Sequence, residues 1–322
     1  MADEIIVTGG AGFIGSNLVR ALNARDEGRI CIVDHLDDEG LKARNLEDLH
    51  FSDLIDKTEF RDAFRKNRIA PPRTVFHLGA CSSTTESDAE YLADNNYCYT
   101  QELCTWSLAH DARFVYASSA ATYGDGSMGY SDDDRVTPRL CPLNLYGQSK
   151  QMFDEWALQQ GVLSRVAGLK YFNVYGPREN HKGEMRSVVN KAYRQIRDTG
   201  SLGLFRSYRT EFPDGEQKRD FVYVRDAVDV TLFFHDHPEV SGLFNCGTGT
   251  ARTWLDLAHA IFAAMERPPV IRFIDMPESI REKYQYFTEA DTTKLRGAGY
   301  RAPFTPLEDG VRDYVRNHLA LS

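Results

Sequence analysis

The sequence predicts an α/β fold in which helices cover both faces of a parallel sheet. Short β-branched runs alternate with helical patterns through the first half of the 322-residue chain. These runs are apolar without polar alternation, which is typical of strands buried on both faces. A glycine-rich turn also joins the first predicted strand to the first helix. Together these observations predict a doubly wound parallel sheet of the Rossmann type.

The predicted elements of the first half follow one another in strand and helix order, as the crossover connections of a parallel sheet require. They are the strand Ile5–Val7, a helix around Asn17–Leu22, the strand Ile30–Val33 ending at Asp34, the strand Thr74–Leu78, a helix near residues 91–110, the strand Phe114–Ala117 and a helix over residues 146–160.

The second half is less regular and predicts a substrate-binding portion built from separate pieces. Its predicted elements are a strand at Arg165–Phe172, a helix near residues 184–198 within a mostly polar stretch to about Gln217, strands at 221–224 and 242–245, and an amphipathic helix at 253–266. We predict a Rossmann domain over residues 1–171 and about 220–247. A smaller, discontinuous mixed α/β substrate domain is predicted over about 172–219 and 248–322.

Composition excludes several classes of function. A formal net charge of -9 repels nucleic acid, so no nucleic-acid partner is expected. The sequence has no run of 18 apolar residues, so no membrane span is expected. The first strand-like run begins at Ile5 without a basic, apolar leader before it, which indicates a cytoplasmic protein. Six scattered cysteines without a C-x-x-C pair favour buried structural thiols, so neither a metal site nor a disulfide is expected.

The glycine-rich turn is the first candidate for a binding site. Residues Thr8–Gly15 place Gly9, Gly12 and Gly15 in the spacing G-x-x-G-x-x-G. Glycines allow a tight turn and let backbone N–H groups approach a pyrophosphate, and the following helix adds its positive N-terminal end. The turn lies between a strand and a helix, so it predicts dinucleotide binding.

The nature of the dinucleotide depends on charges after the second strand. Asp34 ends that strand, where an acid typically accepts hydrogen bonds from the adenosine ribose and favours NAD over NADP. The alternative for Asp34 is a helix cap or an exposed loop acid. Lys42 and Lys57 are positioned to pair with a 2′-phosphate instead, and charge alone leaves the choice open.

A second pattern carries acid–base chemistry. Tyr146 and Lys150 form Y-x-x-x-K at the start of a helical pattern, and a spacing of four places both on one helix face. A tyrosine with an ordinary pKa near ~10 needs its pKa lowered by about three units to act as a base at neutral pH. The ammonium of Lys150 and a positive nicotinamide ring are the natural causes. Alone, this pattern often arises by chance.

Two serines complete the constellation. Ser118 and Ser119 end the strand before this helix, where a hydroxyl can hold a carbinol or carbonyl oxygen. A substrate hydroxyl would bind near Ser119, Tyr146 would remove its proton, and its carbon would give a hydride to the nicotinamide. The three parts in this order predict a catalytic hydride-transfer site.

With these motifs in order, the chain resembles the extended short-chain dehydrogenase/reductase superfamily, and within it the family of ADP-heptose 6-epimerases, nearly end to end. The superfamily resemblance rests on Thr8–Gly15, Ser118–Gly124 and Tyr146–Lys150. The narrower resemblance rests on four rarer strings, at residues 79–86, 94–97, 178–183 and 218–223, and the string 173–178 is shared more widely.

The resemblance implies inversion of carbon 6 of an ADP-linked heptose, a precursor of lipopolysaccharide. The carbon would be oxidised to a ketone, and the hydride would return to its opposite face from a tightly bound, recycled cofactor. Tyr146 matches one base of the family, and Lys182, in a His-Lys-Gly string, matches the other. The resemblance also implies a homo-oligomer, typically a pentamer.

Further roles are implied residue by residue. The family generally prefers NADP, so Lys42 and Lys57 favour NADP here, with NAD as the alternative. Matches to cofactor contacts are Phe13, Ile14, Asp34, His35, Lys42, Lys57, Leu78, Gly79, Ala80, Cys81, Ser82, Asn95, Lys150 and Val174. Matches to substrate contacts are Asn173, Glu184, Lys191, Phe205, Arg219 and Tyr284, of which Arg219 suits a pyrophosphate because its planar fork donates two parallel hydrogen bonds.

One departure and two competing functions remain. The stretch Arg206–Gln217 is longer than the family pattern, and it either reshapes the nucleotide end of the site or is a surface excursion, the interpretation we favour. Another nucleotide-sugar enzyme of this fold, such as UDP-glucose 4-epimerase or a 4,6-dehydratase, is the main alternative. A dehydratase is expected to carry an acid pair where this chain has Ala120–Thr122. A non-catalytic cofactor sensor usually lacks the tyrosine or the lysine, and both are present.

Overall fold

The computed structural model describes residues 4–36, 39–281 and 284–321. A seven-stranded sheet runs through it, and every neighbouring pair of its strands is parallel. The predicted doubly wound parallel sheet is therefore confirmed. Across the sheet the strands are β3 (Asp53–Asp56), β2 (Arg29–Asp34), β1 (Glu4–Thr8), β4 (Thr74–His77), β5 (Arg113–Ser119), β6 (Val166–Tyr171) and β10 (Gly242–Cys246).

The winding of this sheet reverses beside its central strand. The chain places β2 and β3 on one side of β1 and then returns to place β4, β5 and β6 on the other. In doubly wound sheets such a reversal opens a crevice at the carboxyl ends of the strands, where ligands bind. Here the crevice lies at the carboxyl ends of β1 and β4, and the glycine-rich turn that follows β1 lines it.

Helices bury both faces of the large sheet. Ile5 and Val7 of β1 pack in one core with helices α1 (Phe13–Ala24) and α8 (Val224–Asp236). Ile6 packs in a second core with α3 (Lys57–Arg65), α5 (Tyr99–Ala109) and α6 (Leu145–Gln159). The strand side chains alternate between these two cores because successive residues of a strand point to opposite faces. The helices of this part are α1 (Phe13–Ala24), α2 (Leu41–Arg44), α3 (Lys57–Arg65), α4 (Ala89–Leu92), α5 (Tyr99–Ala109), α6 (Leu145–Gln159) and α8 (Val224–Asp236).

A π-helical segment, Ala93–Cys98, joins α4 to α5. The predicted helix near residues 91–110 is present as this segment and α5, but its wider turn was not predicted. Such segments occur often at functional sites, because the extra residue turns side chains away from their helical positions. Here the segment carries Asn95 and Asn96, and Asn96 brackets Cys81 by accepting from its N–H (2.8 Å) and donating to its carbonyl (2.9 Å).

The second half contributes two small sheets and a separate apolar core. The predicted strand at 242–245 is β10, beside β6. The predicted strand at 221–224 falls in β9 (Lys218–Tyr223), the middle strand of a small sheet between β11 (Ala251–Thr253) and β7 (Asn173–Tyr175). No helix in the described ranges is both long and apolar enough to cross a membrane. The remaining elements are β7 (Asn173–Tyr175), β8 (Leu202–Phe205), β9 (Lys218–Tyr223), β11 (Ala251–Thr253), β12 (Ile271–Ile274), α7 (Val188–Thr199), α9 (Trp254–Ala264), α10 (Glu278–Arg281), α11 (Thr293–Gly297) and α12 (Leu307–Asn317).

Candidate active site

A cleft of about 630 Å³ lies at the carboxyl ends of the central strands. It gathers every residue that the sequence assigns to catalysis and most of those assigned to the cofactor. The predicted residues that line it are Gly9, Gly12, Phe13, Ile14, Gly15, Asp34, Lys42, Leu78, Gly79, Ala80, Cys81, Ser82, Ser119, Tyr146, Lys150, Asn173, Val174 and Lys182.

The glycine turn has the geometry that a phosphate cradle needs. Gly9 has a φ of +70°, and a Cβ atom on Gly15 would lie 2.0 Å from the carbonyl oxygen of Gly9, so only glycine fits there. Helix α1 begins after Gly12 without a side-chain cap. The N–H groups of its first turn are therefore available to an anion at the floor of the cleft. These residues fit the pyrophosphate of a dinucleotide.

Asp34 braces this turn and forms an ion pair with a lysine. Its carboxylate accepts hydrogen bonds from the backbone N–H of Ala11 (2.9 Å) and of His35 (2.8 Å). The ammonium of Lys42 lies 2.7 Å from the same carboxylate. The charge that would favour NAD by accepting from the ribose is thus already paired with a cation.

A smaller cavity of about 170 Å³ opens beside Asp34 and contains the remaining predicted cofactor residues. Lys57 lies at this cavity, donating to the side-chain oxygen of Asn95 (2.9 Å). His35 also lines it and pairs with Asp56 at 3.1 Å. The buried hydroxyl of Tyr99, another lining residue, has no hydrogen-bond partner among the described residues.

Helix α6 and strand β5 bring the catalytic candidates together. Asn144 caps α6 by accepting from the N–H of Gly147 (2.8 Å), which fixes the first turn that carries Tyr146. Burial raises the pKa of Tyr146, and its hydrogen bond with Ser119 works in the opposite direction. Burial also lowers the pKa of Lys150 to about 8, and its ammonium donates to the carbonyl of Ala117 (2.8 Å). Helix α6 therefore brings a phenol and an amine, both with shifted pKa values, to the same cleft.

Lys182 reaches the cleft from a different segment. It belongs to the 3-10 stretch Asn180–Met185, and its ammonium lies 5.4 Å above the ring of Phe13, the first residue of α1. Burial lowers the pKa of Lys182, while the nearby carboxylate of Glu179 raises it. Glu179 is itself buried and held by Ser187. Lys182 is thus a partly desolvated amine in the same cleft as Tyr146.

The residues assigned to the substrate are less concentrated. Asn173 lines the cleft, but Glu184, Lys191 and Phe205 lie outside the lining of both cavities. The buried guanidinium of Arg219 is stacked between the rings of Trp254 (5.5 Å) and Tyr284 (5.1 Å). Trp254 lines the cleft, so Arg219 and Tyr284 are connected to the cleft through one aromatic ring.

The lengthened stretch 206–217 packs on the segment that carries Tyr284. Phe212 stacks at 5.6 Å on Tyr286, and the guanidinium of Arg209 lies 4.8 Å from the same ring. Tyr286 in turn meets Tyr284 edge to face at 5.1 Å. The stretch is exposed at residues 208–211, and its inner side supports the aromatic layer next to Arg219.

Sequence reasoning missed a charged pair below the serines. Asp154 on α6 and Lys170 on β6 are wholly buried, with their charged atoms 2.7 Å apart. The available signals were a lysine within an otherwise apolar strand run and an acid four residues after Lys150 on the same helix face. A buried charge needs a partner, so these two positions could have been matched.

The parallel sheet with its glycine turn and the cleft beside it are those of enzymes that use a nicotinamide dinucleotide as cofactor. The chain belongs to the NAD dependent epimerase/dehydratase family, whose sequence model matches residues 5–247.

Curated relatives narrow the comparison to one activity. The chain is 52% identical over 316 residues to the protein named ADP-L-glycero-D-manno-heptose-6-epimerase in Nitratidesulfovibrio vulgaris (strain DP4), with 98% of each chain covered. It is 46% identical over 328 residues to the protein of the same name in Fusobacterium nucleatum, again with 98% of each covered.

Solved structures show the same fold with different substrates. The Helicobacter pylori ADP-L-glycero-D-manno-heptose-6-epimerase matches with a TM-score of 0.81 and 25% identity, over 98% of this chain and 96% of that one. A UDP-N-acetylglucosamine 4-epimerase from Methanobrevibacter ruminantium matches with a TM-score of 0.83 and 25% identity over the full length of both. The two structures match this chain about equally well although their named substrates differ, so the fold alone does not distinguish the substrates.

Proposed function

We propose that this protein is an ADP-L-glycero-D-manno-heptose 6-epimerase, an isomerase that inverts carbon 6 of an ADP-linked heptose through a 6-keto intermediate. The observation that carries the proposal is the position of Lys182 in the same cleft as Ser119, Tyr146 and Lys150. Inversion needs a hydride to leave one face of carbon 6 and return to the other, with a proton exchanged at the carbon-6 oxygen of each epimer, and this cleft offers two candidate bases from different segments. The identity of about half over nearly the whole chain supports the same activity.

The chain's own residues would move protons and hold the substrate oxygen. Ser119 would donate a hydrogen bond to the oxygen on carbon 6, and Tyr146 would exchange the proton of that hydroxyl. A nicotinamide dinucleotide, when bound, accepts a hydride from carbon 6 and returns it to the other face. Lys150 would favour the Tyr146 phenolate by its charge, and Lys182 would exchange the proton for the opposite epimer.

We propose NADP as the cofactor, with NAD as the alternative. The carboxylate of Asp34 is paired with Lys42, which reduces its repulsion of a 2′-phosphate. Lys57 adds a second cation at the neighbouring cavity. Two cations beside a paired acid favour a phosphate over a free ribose hydroxyl.

We also propose that the protein is a homo-oligomer, which light scattering of the purified protein checks.

The second candidate function is another nucleotide-sugar epimerase, such as a UDP-glucose 4-epimerase. The structural likeness to a UDP-N-acetylglucosamine 4-epimerase favours keeping it in the test. Both functions share the hydride-transfer residues and differ in the carbon that is presented to them.

One experiment separates the two. Purified protein is incubated with each ADP-heptose epimer and with UDP-glucose, without added cofactor, and inversion at carbon 6 or carbon 4 is followed by NMR. We expect inversion at carbon 6 of the ADP-heptoses and none at carbon 4 of UDP-glucose. No added cofactor should be needed, because the oxidation and the reduction cancel and a retained dinucleotide suffices. Denatured protein should release roughly one dinucleotide per chain, which chromatography identifies as NADP or NAD. Dependence on stoichiometric added NADPH would contradict the proposal and indicate a net reductase.

A further inference from the structure

The buried pair of Asp154 and Lys170 lies directly beneath the serine end of β5. Both side chains have no exposed surface, and Nζ of Lys170 is 2.7 Å from Oδ2 of Asp154. Taking two charges out of water is costly unless their remaining hydrogen-bonding positions are also satisfied. The pair therefore needs further hydrogen-bond partners, and these partners belong to the segment that carries Ser119.

Three strand and helix elements and one turn supply those partners. Asp154 accepts hydrogen bonds from the hydroxyls of Tyr116 (2.9 Å) and Ser118 (2.6 Å) on β5. Lys170 donates a second hydrogen bond to the hydroxyl of Thr122 (2.8 Å), in the turn after β5. The charges thus tie α6, β5, β6 and this turn to one point.

These ties hold Ser119 from both sides. Ser118, which precedes it, is bound to Asp154 and lies opposite Lys170 in the register of β5 and β6. Thr122, which follows it, donates to the carbonyl of Ser119 (2.8 Å). The hydroxyl of Ser119 accepts from the N–H of Ala121 (3.1 Å) and hydrogen-bonds with Tyr146, which precedes Asp154 by eight residues on α6.

We propose that Asp154 and Lys170 are positioning residues for the epimerisation: by locking the end of β5 against α6 they set the Ser119–Tyr146 geometry at the reacting oxygen. This inference rests on the proposed function for its reaction. A small displacement of a reacting group has a large effect on rate, so the pair acts on turnover more than on binding.

The test uses the variant Asp154→Asn/Lys170→Met. It removes both charges together, so that no unpaired charge is left in the interior. We expect it to fold and to retain its dinucleotide, with KM for the nucleotide sugar within about twofold of wild type and kcat lowered at least about tenfold. Asp154→Asn alone leaves Lys170 unpaired and should lose stability as well. Native kcat per folded molecule in the double variant would overturn the inference.

A matched control and a milder variant guard against a merely structural effect. Asp226→Asn alters another buried carboxylate, on α8, which accepts hydrogen bonds from Thr305. It should reduce stability and leave kcat per folded molecule at the wild-type value. Ser118→Ala removes only the hydrogen bond from the Ser118 hydroxyl to Asp154 and leaves both charges in place. It therefore remains informative if the double variant does not fold. It should lower kcat at unchanged KM, and native kcat in Ser118→Ala would again overturn the inference.

The two proposals fail separately. If the wild-type protein inverts carbon 4 of UDP-glucose and leaves ADP-heptose unchanged, the proposed function is wrong. The same variants assayed on UDP-glucose then still test the positioning role.

Discussion

At the scale of single residues, the proposed mechanism depends on Tyr146 and Lys182 acting on opposite faces of one ketone. Each base serves one epimer, so Tyr146→Phe and Lys182→Met should each abolish net epimerisation. Each variant should keep some oxidoreduction on one face, because the other base and the cofactor site remain. NMR of ADP-heptose measures the first effect, and dismutation of an aldehyde analogue measures the second.

The control for this prediction is a lysine of the surface. Lys66 pairs with Asp62 at the exposed end of α3, and Lys66→Met should leave both reactions unchanged. Near-normal epimerisation by Lys182→Met would remove the two-base mechanism.

The choice of cofactor is also decided by single residues. Lys42→Ala/Lys57→Ala should weaken NADP binding by ~1–3 kcal/mol, because partly exposed charge-assisted hydrogen bonds contribute about that much. NAD should be weakened less, since the carboxylate of Asp34 loses its lysine and becomes available to the ribose. Titration of both cofactors into cofactor-depleted protein measures this, with Lys66→Ala as control. Equal losses for the two cofactors would favour NAD instead.

At the scale of elements, strong apolar runs predicted structure well and short or polar segments did not. The predicted strand Ile30–Val33, ending at Asp34, is β2, which begins one residue earlier at Arg29. β3 was missed because it is only Asp53–Asp56, with two apolar residues between acids. β8 was missed within a polar stretch, since its pairing with β12 depends on residues about 70 positions later.

In the candidate site, likewise, residues in local motifs could be predicted and contacts that depend on packing could not. The glycine turn, Asp34 and the Tyr146–Lys150 pair were predictable because their chemistry is encoded in local spacing. The π-helical segment that turns Asn96 toward Cys81 was not, since it depends on packing around a whole helix. For Asp154 and Lys170, the two charged residues could be recognised in the sequence as unusual at buried positions. Their contact could not be predicted, because it depends on how α6 packs against β6.

The lengthened stretch gives a prediction at the element scale. Arg209→Ala/Phe212→Ala removes two contacts with Tyr286, the ring that supports Tyr284 beside Arg219. Each aromatic or cation–π contact contributes about 1 kcal/mol. We expect KM for the nucleotide sugar to rise about five- to tenfold, with cofactor retention unchanged. Steady-state kinetics measure this.

The exposed residue Glu211 supplies the control on the same stretch, and Glu211→Ala should leave KM at the wild-type value. A native KM in the double variant would make the stretch a surface excursion.

At the scale of the whole molecule, a buried histidine couples folding to pH. His77 bridges Thr8 at the end of β1 (2.7 Å) and Thr100 on α5 (2.9 Å). Burial, with the charge of Lys150 as a smaller cause, lowers the pKa of His77 to about 3. The unfolded chain therefore binds a proton below about pH 6.5 that the native protein does not. Stability from this site is present above that pH and is lost as pH falls toward 3.

Another buried group opposes this trend, so the wild-type protein alone does not isolate it. Burial raises the pKa of Asp132 to about 6, and a carboxyl with a raised pKa favours the native state as pH falls below 6. His77→Gln keeps a neutral side chain between the threonines and removes only the histidine's titration. Urea unfolding with saturating dinucleotide should show wild type losing about 2 kcal/mol relative to His77→Gln between pH 7 and pH 5. A difference that stays constant over this range would mean that His77 titrates in the folded protein as it does in the unfolded chain.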